Sequence, residues 1–151
     1  MIVEYIKGDV TVLAEKYDVL VHGCNCFNTM GSGVAKAIAT KWPGVVDADN
    51  RTIRGDMTKL GSYTTYQTDS GLIIVNAYTQ YDYGRDGKTY FKYGAFMTII
   101  KDLEEYDILS SIAGHAEFIV PRIGSGLGGG DWKTISWVLQ QSPLRFTVAE
   151  L

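Results

Sequence analysis

A three-layer α/β domain is the fold class that this sequence predicts. Short apolar runs alternate along the chain with segments of helical periodicity, the pattern of strands and helices taken in turn. Two glycine-rich stretches, residues 23–33 and 124–132, each sit where an apolar run gives way to a helical segment. Glycine lets backbone N–H groups approach a ligand closely, and a helix start adds unpaired donors and positive dipole character. Open α/β sheets take their ligands beyond the carboxyl ends of strands, where both stretches fall. Two such loops predict a grip on one elongated, phosphate-containing small molecule.

Residues 2–6 and 19–22 read as short buried strands, separated by a turn at Gly8 and Asp9 and a short polar segment. After the first glycine stretch, Val34, Ile38 and Trp42 recur every four residues with Ala35, Ala37 and Ala39 between them. That is a helix entered straight from the loop, and Pro43 marks its end or a kink. Residues 47–51 fit a further helical turn. Residues 60–67 and 72–77 read as strands, the second so continuously apolar that both its faces should be covered. Residues 93–106 make the clearest helix, with Phe96, Ile99, Ile100 and Leu103 in one stripe. Residues 118–123 form a buried strand that runs into the second glycine stretch. A short helix follows, carrying Trp132, Ile135 and Val138 or Leu139 on one face. The tail 144–148 alternates apolar and polar residues and closes the sheet.

A length of 151 residues fits one domain over residues 1–151, enough to bury roughly two-thirds of the unfolded surface. The net charge of −3 leaves no basic footprint for nucleic acid or a membrane surface, so a phosphate ligand must be held mainly by backbone amides. The start lacks the cationic and apolar regions of a signal peptide, and no run approaches the ~20 apolar residues of a membrane span. Cys24 and Cys26 are too close in sequence for a useful structural disulfide, which points to a reducing compartment. The expectation is a cytoplasmic protein without a membrane partner, of a charge and length that fit a monomer.

Gly124, Gly126 and Gly129 satisfy G-x-G-x-x-G, but a dinucleotide fold needs that motif in its first strand–turn–helix unit, with most of the sheet still to come. Only 22 residues follow Gly129, which rejects the Rossmann reading. No G-K-[ST] closes either stretch, so a Walker A loop fails as well. Several segments taken together, however, follow a known order: His22-Gly23-Cys24-Asn25-Cys26 leading into Met30-Gly31-Ser32-Gly33-Val34-Ala35-Lys36-Ala37-Ile38, then Val75-Asn76-Ala77-Tyr78, then Pro121-Arg122-Ile123-Gly124-Ser125-Gly126-Leu127-Gly128-Gly129-Gly130-Asp131-Trp132. Lys7-Gly8-Asp9-Val10 and Phe146-Thr147-Val148 extend the pattern to both ends. The sequence resembles the macrodomain family, and within it the ADP-ribose-1″-phosphate phosphatase branch of fungi, bacteria and phages.

The resemblance implies a three-layer α/β/α fold with a mixed central sheet and a cleft for ADP-ribose, with no cofactor. Asp9, flanked by Gly8 and Val10, matches the position that accepts a hydrogen bond from the adenine amino group. Met30, Gly31, Ser32, Gly33 and Val34 match the segment around the diphosphate and distal ribose. Ile123, Gly124, Ser125, Gly126, Leu127, Gly128 and Gly129 match the opposing diphosphate loop. Asn25 falls near the polar position on the distal ribose. His22, Asn25 and Asp131 are the candidates for the chemistry, His22 as an acid or electrostatic stabiliser near a terminal phosphate.

Each has a plainer alternative. Aspartate is common in turns and directly before helices, which covers Asp9 and Asp131. Asn25 and Asn28 can stabilise a loop, and a histidine at the end of a buried strand is often just a hydrogen-bonded core residue. His22, Cys24 and Cys26 alternate, yet zinc wants more ligands and His115 is remote, so no metal is expected. The aromatic, glycine-bounded segment 78–91 reads as a lid, with Arg85 or Lys88 near charge and most rings structural.

Three functions follow. The first is hydrolysis of ADP-ribose-1″-phosphate, a phosphoric monoester, to ADP-ribose and phosphate. The second is removal of ADP-ribose from ADP-ribosylated macromolecules, either protein carboxylates or nucleic acid. The deacylating branch uses a lysine and an aspartate where approximate alignment places Gln80 and Gly128, which weakens a lysine-dependent mechanism and leaves substrate-assisted hydrolysis as the alternative. The third is a non-catalytic binder of ADP-ribose-type nucleotides.

Overall fold

Strands with apolar residues on both faces need a layer of helices on each side. A computed structural model describes residues 1–105 and 116–151. Its elements run β1 (Ile2–Lys7), α1 (Val10–Leu13), β2 (Val19–Cys24), α2 (Gly33–Lys41), α3 (Gly44–Asn50), β3 (Tyr63–Gln67), β4 (Ile73–Tyr78), α4 (Tyr93–Glu105), β5 (Glu117–Pro121), α5 (Trp132–Gln141) and β6 (Arg145–Glu150). The sheet order is β1-β6-β5-β2-β4-β3. Every neighbouring pair from β1 to β4 is parallel, and β3 pairs antiparallel with β4, so the sheet is mixed.

The strands' period of two divides their side chains between two cores. Val19 and Val21, Val75 and Ala77, Phe118 and Val120, and Phe146 and Val148 pack under the apolar stripes of α4 and α5. Leu20, Ile74 and Ile119 point the other way, onto Val10 of α1, Ile38 of α2 and Val45 of α3. At the start of α3 the backbone lies so close to the Tyr66 ring that a Cβ on Gly44 would stand 2.1 Å from it. Pro43 precedes that helix, which begins at Gly44 and not at residue 47, because proline suits a helix start.

Several boundaries differ from the sequence reading for local reasons. β3 starts at Tyr63 because a 3-10 turn at Met57–Lys59 and Gly61, at φ 86°, precede it. β5 stops at Pro121, where the Ile123 N–H turns back to the Pro121 carbonyl. The helix expected over 93–106 is described to Glu105, and residue 106 and His115 lie outside the described residues.

Two expectations about the sheet need correction. β6 does not close the sheet but runs inside it, between β1 and β5. β1 is the edge strand, and Val3 and Tyr5 are exposed, 37% and 47%. A register shift between Ile2 and Glu4 interrupts its pairing with β6, and the Ile2 N–H goes instead to Gln140 Oε1 at 3.0 Å.

Ile119 sits in the sheet's middle with no exposure. Replacing Ile119 by alanine should cost about 2–5 kcal/mol, the range for a buried aliphatic truncation. Urea unfolding measures it, and a loss near zero would contradict the core assignment.

Candidate functional site

Parallel strands end on the same edge of a sheet, so the chain leaves β6, β5, β2 and β4 on one side. A cleft of about 1180 Å³ runs across those four ends. Its walls follow the strand order: Ala149, Glu150 and Leu151 from β6; Arg122–Gly128, residues 122–128, after β5; His22–Asn25, Thr29 and residues 31–35 from β2 into α2; Thr79, Gln80 and Tyr83–Arg85, residues 83–85, after β4. Four strand ends at ~4.8 Å spacing span roughly 14 Å, a length that suits an elongated ligand.

The centre of the cleft is a set of backbone donors. α2 begins at Gly33 with no side-chain hydrogen bond from Ser32, and no acidic residue occupies its first turn. Among the described residues the N–H groups of Gly33, Val34 and Ala35 have no partner, while Lys36 N–H already reaches the Ser32 carbonyl. On the opposite wall the N–H groups of Ser125, Gly129 and Gly130 are bonded within the loop, and those of Gly124, Gly126, Leu127 and Gly128 are not. Unpaired amides on both walls make a site for an anion with two negative groups in a row.

The second loop is glycine-rich for two reasons, and the sequence revealed one. Gly124, at φ 76°, lies against the Phe91 ring, which would stand 2.2 Å from a Cβ there. Gly129, at φ 70°, lies 2.7 Å by the same measure from the Lys88 carbonyl. Tyr90 and Phe91 both donate their N–H to the Gly128 carbonyl, at 2.7 and 3.0 Å. The segment after β4 thus crosses behind the loop as a strap, and the glycines admit it there while leaving the cleft side open. Gly129 faces the strap and does not line the cleft.

The three residues expected to carry the chemistry each have partners within the protein. His22 is buried, and its Nε2 meets Asn76 Oδ1 at 2.7 Å. Asn76 Nδ2 donates to the Val45 carbonyl and Thr64 Oγ1, so its oxygen accepts and His22 Nε2 carries the proton. Burial pushes the imidazole down to about 4, with the Asn76 bond opposing the shift. His22 lies at the cleft floor, with its Nε2 proton engaged by Asn76.

Asn25 lines the cleft, but its Nδ2 donates to the Thr29 carbonyl and Thr29 Oγ1 and its Oδ1 accepts from Phe27 N–H. Those bonds shape the loop. Asp131 does not line the cleft. Its carboxylate accepts from Lys133 N–H and Thr134 Oγ1 and caps α5, the plainer of its two readings.

Asp9 caps α1 through its Oδ1, which accepts Thr11 N–H and Thr11 Oγ1, and those bonds hold its carboxyl below the usual range. Among the described residues nothing donates to its Oδ2. The Gly8 N–H reaches the Glu150 carbonyl at 2.7 Å, so Asp9 stands beside the β6 end of the cleft without lining it. The Val10 side chain is buried in the core and Met30 packs half-buried beside Cys24, Cys26 and Tyr78, so neither side chain lines the cleft. Gly31, Ser32, Gly33, Val34, Ile123 and the loop from Gly124 to Gly128 all do.

Sequence reasoning missed what stands behind the first loop. Lys59, buried, donates to the Cys26 carbonyl and to Asn28 Oδ1 and lies 4.8 Å from the Tyr78 ring centre. Tyr78 donates to Asp49 Oδ1 at 2.7 Å and meets Thr64 Oγ1, which accepts from Asn76. A continuous polar chain therefore links Asp49 to His22 at the cleft floor. No motif marks Lys59 or Asp49, and only tertiary packing joins them. The sequence also left Arg122 and Glu150 unassigned, although their 2.6 Å ion pair flanks the β6 end of the cleft. Cys24 and Cys26 are free and buried, with thiols pushed up by burial, and among the described residues no three His, Cys, Asp or Glu side chains cluster as a metal site requires.

No family model matches the chain. A curated uncharacterised 17.5 kDa protein of Enterobacteria phage T4 is 40% identical over 143 residues, covering 92% of this chain and 88% of that protein. The ADP-ribose 1″-phosphate phosphatase of Candida albicans is 22% identical over 92% of each. The DNA ADP-ribosyl glycohydrolase of Mycobacterium tuberculosis is 27% identical over 88% of this chain and 36% of that protein. Among solved structures, a Bacteroides thetaiotaomicron protein of unknown function superposes with TM-score 0.81 at 25% identity, over 100% of this chain and 98% of that one. The macrodomain of Mycobacterium tuberculosis DarG gives 0.75 at 24%, again over 100% and 98%. The chain belongs to one family with the T4 protein, and it has the fold of the DarG macrodomain.

The low His22 pKa makes stability depend on pH with a definite sign. Between pH 6.5 and about 4 the unfolded chain takes up a proton there that the folded chain refuses, so stability falls as pH drops through that window. At ~1.4 kcal/mol per unit the whole loss is about 3 kcal/mol. Urea unfolding at pH 7 and pH 4.5 should show a larger fall for the wild type than for His22→Gln. Equal falls would contradict the buried neutral ring.

Proposed function

We propose that this macrodomain binds an ADP-ribose-type nucleotide along the cleft and hydrolyses ADP-ribose-1″-phosphate to ADP-ribose and phosphate. The observation that carries the reading is the facing pair of unpaired amide sets, from Gly33–Ala35, residues 33–35, and from the loop at Gly124 to Gly128. They suit the diphosphate. The free Oδ2 of Asp9, beside the β6 end, suits the adenine amino group. That polarity leaves the distal ribose at the β4 end, against Thr79, Gln80 and Tyr83. The fungal phosphatase, similar over nearly its whole length, supports the choice of reaction.

In the hydrolysis a water oxygen attacks phosphorus, the bond from phosphorus to the ribose 1″ oxygen breaks, and that oxygen leaves with the electron pair. The departing oxygen takes its proton from the phosphate or from solvent, since His22 is neutral with its proton engaged and Asp131 is spent on α5. The cleft's carboxylate, Glu150, is paired with Arg122 at the other end. The protein's contribution is to fix the diphosphate and aim donors at the charge on the terminal phosphate.

Release of ADP-ribose from DNA is the second reading, favoured by the similarity to the mycobacterial glycohydrolase. Gln80 in place of a lysine and the net charge of −3 weigh against it. Calorimetry with ADP-ribose and phosphate release from ADP-ribose-1″-phosphate, beside an ADP-ribosylated oligonucleotide, separate the readings. Phosphate should appear in proportion to enzyme. Binding of ADP-ribose with no phosphate released would sink the phosphatase reading, and release from the oligonucleotide alone would replace it.

Gly126 offers a clean probe, because it lines the cleft and a Cβ there meets nothing within 4 Å. Gly126→Val should weaken ADP-ribose binding about tenfold or more by calorimetry, with stability changed by no more than about 0.5 kcal/mol. Unaltered affinity would remove the second loop from the binding site.

A further inference from the structure

The cleft's charged side chains are unevenly matched. Arg122 is engaged by Glu150 at its Nε and Nη2, 2.9 and 2.6 Å away. Arg85 also lines the cleft, at the β4 end, and among the described residues it has no ion pair and no hydrogen bond. Acidic residues flank it in sequence at Asp82 and Asp86, yet neither pairs with it. Asp82 Oδ1 accepts Tyr83 N–H, and Asp86 accepts Lys88 N–H and the Tyr90 hydroxyl. The strap's own turns absorb its carboxylates and leave the guanidinium to the cleft.

The strap that carries Arg85 is anchored on both sides. Its first limb is bonded through the Tyr81 carbonyl to Cys26 N–H and through the Tyr81 hydroxyl to the Gly55 carbonyl. Its second limb is held by the Gly128 carbonyl, and Gln80 bridges to Phe91. At the same end Thr79 Oγ1 is buried with no hydrogen-bond partner among the described residues. A diphosphate is already matched by backbone amides at the centre, so a free guanidinium beyond them answers a further anion.

We propose that Arg85 binds the phosphate on the 1″ oxygen of the distal ribose and sets the preference for the phosphorylated nucleotide over ADP-ribose. This rests on the binding mode proposed above. A guanidinium grips a phosphate through two parallel N–H donors, which a neutral ribose hydroxyl does not reward. An ADP-ribosylated carboxylate, being an ester, offers no charge there either, so Arg85 selects against that substrate class.

The test is the ratio of affinities for ADP-ribose-1″-phosphate and ADP-ribose, measured by calorimetry on the whole chain in buffer that suppresses turnover at low temperature. Arg85→Gln should lower the ratio tenfold or more, and Arg85→Lys should fall between, since it keeps the charge and loses the fork. Lys88→Gln, at an exposed side chain 3.7 Å from Asp86 and outside the cleft, should keep the wild-type ratio. Wild-type protein that binds neither nucleotide overturns the binding mode itself. Binding of both with the same ratio in Arg85→Gln overturns only the role of Arg85, as does a loss seen with an ADP-ribosylated oligonucleotide and not with the monophosphate.

Discussion

Parallel pairing of the inner strands is the constraint on which the rest depends. Because β6, β5, β2 and β4 all run the same way, four chain exits converge on one edge, and the loops that leave there form the cleft. Two buried cores, one on each face, hold those strands in place. The cleft is therefore a consequence of sheet direction and layer packing, and strand ends and a helix start place its unpaired amides. Positioning of this kind suits a reaction whose substrate carries its own charge and leaving group.

The fold was legible in the sequence to a large degree. Continuous apolar runs at β2, β4 and β5 marked covered strands, and the stripes of α4 and α5 marked their facing helices. Boundaries slipped where a turn replaced pairing, as at Gly61 and Pro121. What periodicity could not supply was spatial order, so β6 was expected at the margin of the sheet and β1 in its interior. Of the site, the two glycine stretches were readable because backbone approach demands a residue without a side chain. Polar residues were harder, since the same aspartate serves as a cap or as a ligand contact, and only its partners distinguish the two. Asp131 caps α5, and Asp9 caps α1 through one oxygen while nothing among the described residues donates to the other.

A buried polar chain runs from Asp49 through Tyr78, Thr64 and Asn76 to His22, whose imidazole burial pushes down to about 4. Each member is hydrogen-bonded to the next, so the buried polar groups satisfy one another. Lys59 ties this interior to Asn28, which stands at φ 56° in the first loop. An asparagine tolerates that left-handed backbone, and the lysine bond fixes its side chain. The loop is thus braced from behind by Lys59 and Asn28, which do not line the cleft.

The irregular pairing of β1 bears on how the molecule behaves among its own copies. A sheet margin with a regular row of free amides and carbonyls recruits another strand and seeds insoluble ladders. Here the shift between Ile2 and Glu4 breaks the row, Gln140 occupies the Ile2 amide, and Glu4 adds a charge. An incoming strand meets a margin already out of step with it, beside the exposed Val3 and Tyr5.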